Sequence, residues 1–185
     1  SNLGANGTIN FGSTTTTGTL IYTGVGETSD KVVNLAGTTG GGGIQADNAS
    51  GTLIFSNNLT VTGSGAKTLT LSGSGAGQLQ GIIPNYTGAG GPLAVSVTKS
   101  GNGIWTLSGA NTYTGNTAVN NGVLQLSSTA AITGAAARPY TVNAGGALAA
   151  GFALDQPLLD KVVTTSAGVI ALAAGGTNST ALNFS

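Results

Sequence analysis

The chain has 185 residues, of which only 5% are charged and 33 are glycine, and its formal net charge is zero. That balance offers no electrostatic basis for binding nucleic acid or an anionic membrane. With no cysteine and no histidine, a disulfide scaffold, thiol redox chemistry, a Ser-His-Asp triad and Cys/His zinc sites are all excluded.

The predicted elements begin with Ile9 and Phe11, which alternate with Asn10. Leu20 to Tyr22, Val33 with Leu35, and Leu53 to Phe55 follow. Leu59 with Val61, and Leu69 with Leu71, alternate with threonine. Leu79 to Ile83 comes next, then Leu93, Val95 and Val97. Between Lys99 and Leu126, short runs at Trp105 and Leu107, at Val119, and at Leu124 and Leu126 are separated by glycine and asparagine. Val142, Leu148, Val169 to Leu172 and Leu182 to Phe184 complete the series. Runs this short, with turn signals between them, predict an all-β protein. A hydrophobic fraction of 39% without net charge argues against disorder, which combines low hydrophobicity with high net charge.

A β-sandwich has similar strand spacing, and Asn121-Gly122 between Val119 and Val123 reads equally as a hairpin turn or as the tight corner of a coil. Three features favour a parallel β-helix (β-solenoid). Aromatic content is 5%. The inward positions are Val, Leu and Ile with Ala and Gly beside them, which suits a narrow stacked interior. One strand template recurs as GTINF at Gly7, GTLIY at Gly18 and GTLIF at Gly51. A single break in the pattern, Asp155 to Val163, places Leu158, Leu159, Val162 and Val163 on one helical face. Asp155 stands as N-cap, Pro157 in the first turn and Gly168 beyond the end. It predicts a short helix near 155–165, across the side or end of the solenoid or as a docking helix for a partner.

One stretch resembles a known family closely. Lys99, Gly101 and Gly103, then Trp105, Leu107 and Gly109, then Asn111, Tyr113 and Gly115, then Thr117, Val119, Gly122, Leu124 and Leu126 resemble the autotransporter-associated β-strand repeat. That repeat is also called the passenger-associated transport repeat. Ile104 stands where the family often has Thr, and Asn116 where it often has Gly or Ala. The segments from Gly7, from Gly26 and from Leu154 are similar to pieces of giant repetitive bacterial surface proteins. The resemblance implies a right-handed parallel β-helix, an exported passenger, and folding outside the cell that helps draw the chain through. No leader or apolar membrane span is evident in these 185 residues. A membrane connection is therefore expected only through an anchor or barrel outside this sequence.

Titratable groups are few: Glu27, Asp30, Asp47, Asp155 and Asp160, with Lys31, Lys67, Lys99, Lys161 and Arg138. Glu27 and Asp30 are close enough in sequence to act as a carboxylate pair, but a solvated loop with an Asp30–Lys31 contact explains them better. Gly40 to Gly43 with Asp47 is a poor calcium motif. Gly73 to Gly77 lacks the lysine of a phosphate loop and reads as a coil corner. The threonines of 59–62 and 68–71 present hydroxyls on a strand face, by ordinary β-propensity rather than for ice. Tyr22, Tyr86, Tyr113, Tyr140 and Trp105 are candidates for stacking on sugars. Trp105, two residues from Leu107, shares its face and is expected in the core or an interface. Sequons at Asn6, Asn48, Asn58, Asn85 and Asn178 arise by chance in an Asn- and Thr-rich chain.

These readings predict a single solenoid segment over 1–185, without catalytic residues, metal or cofactor. Asn side chains are expected to stack at its corners. The function expected is structural: a stalk, fibre or coat at the bacterial surface. The alternatives are an adhesin binding surface glycans and, more remotely, a polysaccharide-active enzyme. Thr8-Ile9-Asn10-Phe11 and Ala181-Leu182-Asn183-Phe184 share one pattern. It makes Ile9, Phe11, Leu182 and Phe184 candidates for end-to-end pairing with adjacent segments or with copies of the same chain.

Overall fold

The computed structural model describes residues 3–132 and 140–173. In chain order the strands are β1 (Thr8–Phe11), β2 (Gly18–Tyr22), β3 (Glu27–Ser29), β4 (Val32–Leu35), β5 (Gly42–Ala46) and β6 (Thr52–Phe55). They continue with β7 (Thr60–Val61), β8 (Lys67–Ser72), β9 (Ala76–Leu79), β10 (Val95–Lys99) and β11 (Ile104–Leu107). β12 (Thr117–Val119), β13 (Gly122–Leu126), a 3-10 turn (Thr129–Ile132), β14 (Tyr140–Val142), β15 (Gly146–Ala150), helix α1 (Gln156–Leu159) and β16 (Val169–Leu172) follow.

The strands form three sheets. Sheet A has the order β1-β4-β7, sheet B β14-β12-β10-β8-β5-β2, and sheet C β16-β15-β13-β11-β9-β6-β3. Each strand pairs with its counterpart one coil away, always in parallel. This is a β-solenoid of about seven turns, as the seven strands of sheet C count them. The hairpin alternative at Asn121-Gly122 falls, because β12 and β13 belong to different sheets. Gly122 turns that corner at φ 65°, and a Cβ there would lie 2.4 Å from the Gly101 carbonyl oxygen, so only glycine fits.

Alternation along each strand sends every second side chain inward, and parallel register stacks those side chains into columns. In sheet B one column runs Ile44, Leu71, Lys99, Val119 and Val142. In sheet C one runs Leu53, Gly77, Trp105, Leu124, Leu148 and Ile170. A second runs Phe55, Leu79, Leu107, Leu126 and Ala150. Most members are fully buried.

The helix differs from expectation. α1 covers only Gln156–Leu159, with Asp155 accepting the Leu158 N–H at 3.0 Å and Leu158 and Leu159 buried. Beyond Asp160 the chain returns to the solenoid, and Val162 bridges Tyr140 in parallel. β-branched Val162 and Val163 gain more from that strand-like position than from another helical turn. Gly168 does not close the helix; its N–H donates to the Val142 carbonyl ahead of β16. The strand expected over Leu79 to Ile83 stops at Leu79.

Candidate functional site

The stretch from β10 to β13 holds most of the unusual side chains. Lys99 occupies an inward position of β10, between Leu71 below and Val119 above, and is fully buried. Its stem fills the column while its Nζ donates to the carbonyls of Ser100 (2.8 Å), Gly101 (2.7 Å) and Asn121 (3.0 Å). The ammonium thus caps its own corner and the corner of the next coil. Burial pushes its pKa down to about 8, because desolvation disfavours the charged form. Lys67 does the same at the start of the adjacent strand, β8. Its Nζ donates to the Thr38 and Gly65 carbonyls at 2.8 and 3.3 Å, and burial lowers its pKa too.

Trp105 lies against Gly77 of the preceding coil. A Cβ on Gly77 would come within 2.5 Å of the indole ring, so the missing side chain makes room for the large one. The indole N–H donates to the Ser72 carbonyl at 2.8 Å. Asn111 is fully buried and spans three coils. Its Oδ1 accepts the Ile83 N–H at 3.0 Å and its Nδ2 donates to the Ala131 carbonyl at 3.1 Å. The Tyr113 hydroxyl lies 2.8 Å from Thr117 Oγ1 in the interior. Outside, asparagines pair across coils: Asn34 with Asn10 at 2.8 Å, Asn121 with Asn102 at 2.8 Å, and Asn143 with Asn120 at 2.7 Å.

The remaining motif positions act as spacers or core. Leu107, Val119, Leu124 and Leu126 are fully buried. Gly101, Gly103, Gly109 and Gly115 each lie where a Cβ would come within 2.7 Å of a neighbouring coil. The one sequence signal that marks Lys99 as inward is its two-residue spacing from Val97.

The acids are dispersed and occupied. Glu27 Oε1 accepts the Leu3 N–H at 3.0 Å and Asp30 Oδ1 the Asn6 N–H at 2.6 Å. Lys31 donates to the Asn6 carbonyl at 2.6 Å. These side chains clamp Leu3 and Asn6 onto the solenoid, instead of the Asp30–Lys31 contact expected. Asp47 accepts from Gln45 and from the Ser74 amide, Asp155 caps α1, and Asp160 accepts from Gln156. Among the described residues no three His, Cys, Asp or Glu side chains gather as a metal site. Gly73 turns the corner after sheet B at φ 104°. The tyrosines and Trp105 are all buried, which removes them as a stacking platform for sugars. Of the end-pairing candidates, Phe11 is buried in line with Leu35, and Ile9 is half-buried beside it. Leu182 and Phe184, like Arg138 and the Asn178 sequon, lie outside the described residues.

Residues 97–126 match the family model described as passenger-associated-transport-repeat. No curated protein and no solved structure matches the chain. The matched segment is the one from β10 to β13, in which Lys99, Trp105, Asn111 and Tyr113 all engage in stacking. A passenger-associated transport repeat set in a β-solenoid fits an autotransporter-passenger repeat protein, and the match covers 97–126 of the chain.

Proposed function

We propose that this chain is a non-enzymatic structural segment of an exported bacterial surface protein, acting as part of a stalk, fibre or coat. The observation that supports this most is how the matched repeat uses its side chains. Lys99, Trp105, Asn111 and Tyr113 are buried, and their polar atoms bond within the coil stack. A repeat whose distinctive residues are all buried and bonded inside the coil stack supplies shape rather than chemistry. The passenger-type repeat supports a secreted or surface location.

Extension by end-to-end stacking fits the same reading. Among the described residues β1, β2 and β3 each pair on one side only, and open parallel edges are templates for another rung. The chain's zero net charge leaves little repulsion between copies.

Three measurements test the proposal. Fused between a secretion signal and an outer-membrane barrel, the chain should reach the cell surface and resist protease there. Retention in the periplasm would count against export as a passenger. Incubation with a panel of polysaccharides should release no reducing ends or unsaturated products. Any release abolished by Glu27→Gln would replace the structural reading with an enzymatic one. Sedimentation velocity over a concentration series reads the stacking directly. A monomer at every concentration removes end-to-end association and leaves the stalk reading to the export test.

A further inference from the structure

The outer face of sheet B carries a feature that stacking does not use. Its side chains fall in register columns, one running Thr19, Gly43, Thr70, Thr98, Ala118 and Thr141. Beside it Thr68 faces Ser96, and Gly41 precedes the paired Gly42, which places it opposite Thr68. The Gly41 N–H donates to Thr17 Oγ1 at 3.3 Å. No charged side chain faces outward from this sheet among the described residues, since Lys67 and Lys99 both point inward. At Gly41 no side chain fits, because a Cβ would come within 2.2 Å of the Thr68 carbonyl oxygen. The rung is therefore recessed. A depression of ≈ 320 Å³ opens there, lined by Thr17, Thr39, Thr68, Thr70 and Ser96 around Gly41.

The geometry points to this depression as a binding subsite for a neutral hexose polymer. Its volume is at the lower end of the range of small-ligand sites. Five hydroxyls line it, each able both to donate and to accept, which is the complement of a sugar's own hydroxyls. Lys67 contributes to the wall, but its ammonium is turned to the Thr38 and Gly65 carbonyls, so the site offers no cation to an acidic sugar. Ice is the other ligand of regular threonine ranks. It requires an unbroken flat array, whereas this one is interrupted at Gly43 and Ala118 and recessed at Gly41. Every Trp and Tyr side chain is buried, so binding rests on hydrogen bonds without ring stacking. A single site of this kind is weak, and copies along a surface protein would add avidity.

The test titrates the isotopically labelled whole chain with cellohexaose and, separately, maltohexaose. The expected result is amide shifts at Thr39, Gly41, Thr68, Thr70 and Ser96 with a Kd on the order of 1 mM for at least one sugar. Thr68→Leu, which removes a hydroxyl and fills the depression from an exposed position without offering a ring, should weaken binding by about tenfold or more. The paired substitution Thr70→Ala with Ser96→Ala provides the same readout should Thr68→Leu misfold. Thr106→Ala, on sheet C, should bind as the parent does. No shift with either sugar overturns the proposal, and so do shifts undiminished in both blocked variants. Ice shaping by the parent that Thr70→Lys abolishes would assign the face to ice instead. None of these outcomes bears on export or stacking, so the structural reading stands or falls separately.

Discussion

The decisive residues are those that break the usual inside–outside rule. Lys99 is an ammonium in a column of aliphatic side chains. Three carbonyls hold its charged form, yet burial prevails and brings its pKa to about 8 from 10.5. In the unfolded chain the group keeps its proton up to about 10.5, so between the two values the unfolded state binds more protons. Stability should therefore rise with pH across that window. The rise attributable to Lys99 is expected at about 1–3 kcal/mol. Urea unfolding of parent and Lys99→Met on either side of the window reads it, because the substitution should remove most of the rise. Lys67 leaves a smaller one in the same direction. A parent curve that is flat or falls with pH would refute the account of Lys99. Gly77 breaks the rule in the opposite sense, by contributing nothing to the core so that Trp105 can. Gly77→Ala forces a methyl to 2.5 Å from the indole and should cost about 1–3 kcal/mol. Adding Trp105→Leu should recover part of that loss, a coupling that a double-mutant cycle in urea measures.

At the scale of elements, the corners carry as much information as the strands. Asn111 satisfies a backbone donor on the coil below and an acceptor on the coil above. Asn111→Ala leaves both groups buried without it and should cost about 2–4 kcal/mol. Amide exchange at Ile83 should accelerate along with the loss. An unchanged Ile83 amide would mean that another group replaces the asparagine. The sequence made strands legible because alternation of apolar and polar residues survives in each. It made coils much less legible. The three copies of the strand template, at Gly7, Gly18 and Gly51, fall in sheets A, B and C respectively, so they mark strands rather than successive turns. Coil length also varies. Asn10 and Asn34, paired across coils, are 24 residues apart, Ile83 and Asn111 are 28 apart, and Asn102 and Asn121 are 19 apart. With no fixed period, register follows from which glycine accommodates which large neighbour, and that is a three-dimensional fact. The depression on sheet B was illegible for the same reason: Thr17, Gly41, Thr68 and Ser96 meet only once the coils are stacked. The end of α1 was overestimated because Val162 and Val163 continue the helical pattern, while the pairing of Val162 with Tyr140 decides against it.

For the whole molecule, stacking in one dimension sets how stability is distributed. Each coil touches only the coils above and below, so damage should spread to neighbours and fade with distance. Leu148 tests this, because it is fully buried in β15 between Leu124 and Ile170, close to one end of the described solenoid. Leu148→Ala should cost about 2–4 kcal/mol. The loss should appear in hydrogen exchange as earlier opening of β14, β15 and β16. β1 to β6 should keep the protection they have in the parent, since no paired strand of that region contacts β15. The segment 97–126 lies between the two regions. There Lys99, Asn111 and the pair of Trp105 with Gly77 each tie one coil to another. Those cross-coil bonds should stop the opening, so exchange in β10 and β11 should change little. Uniform loss of protection from β1 to β16 would instead mean a single cooperative unit. In that case the matched repeat would hold the solenoid no more firmly than any other coil does.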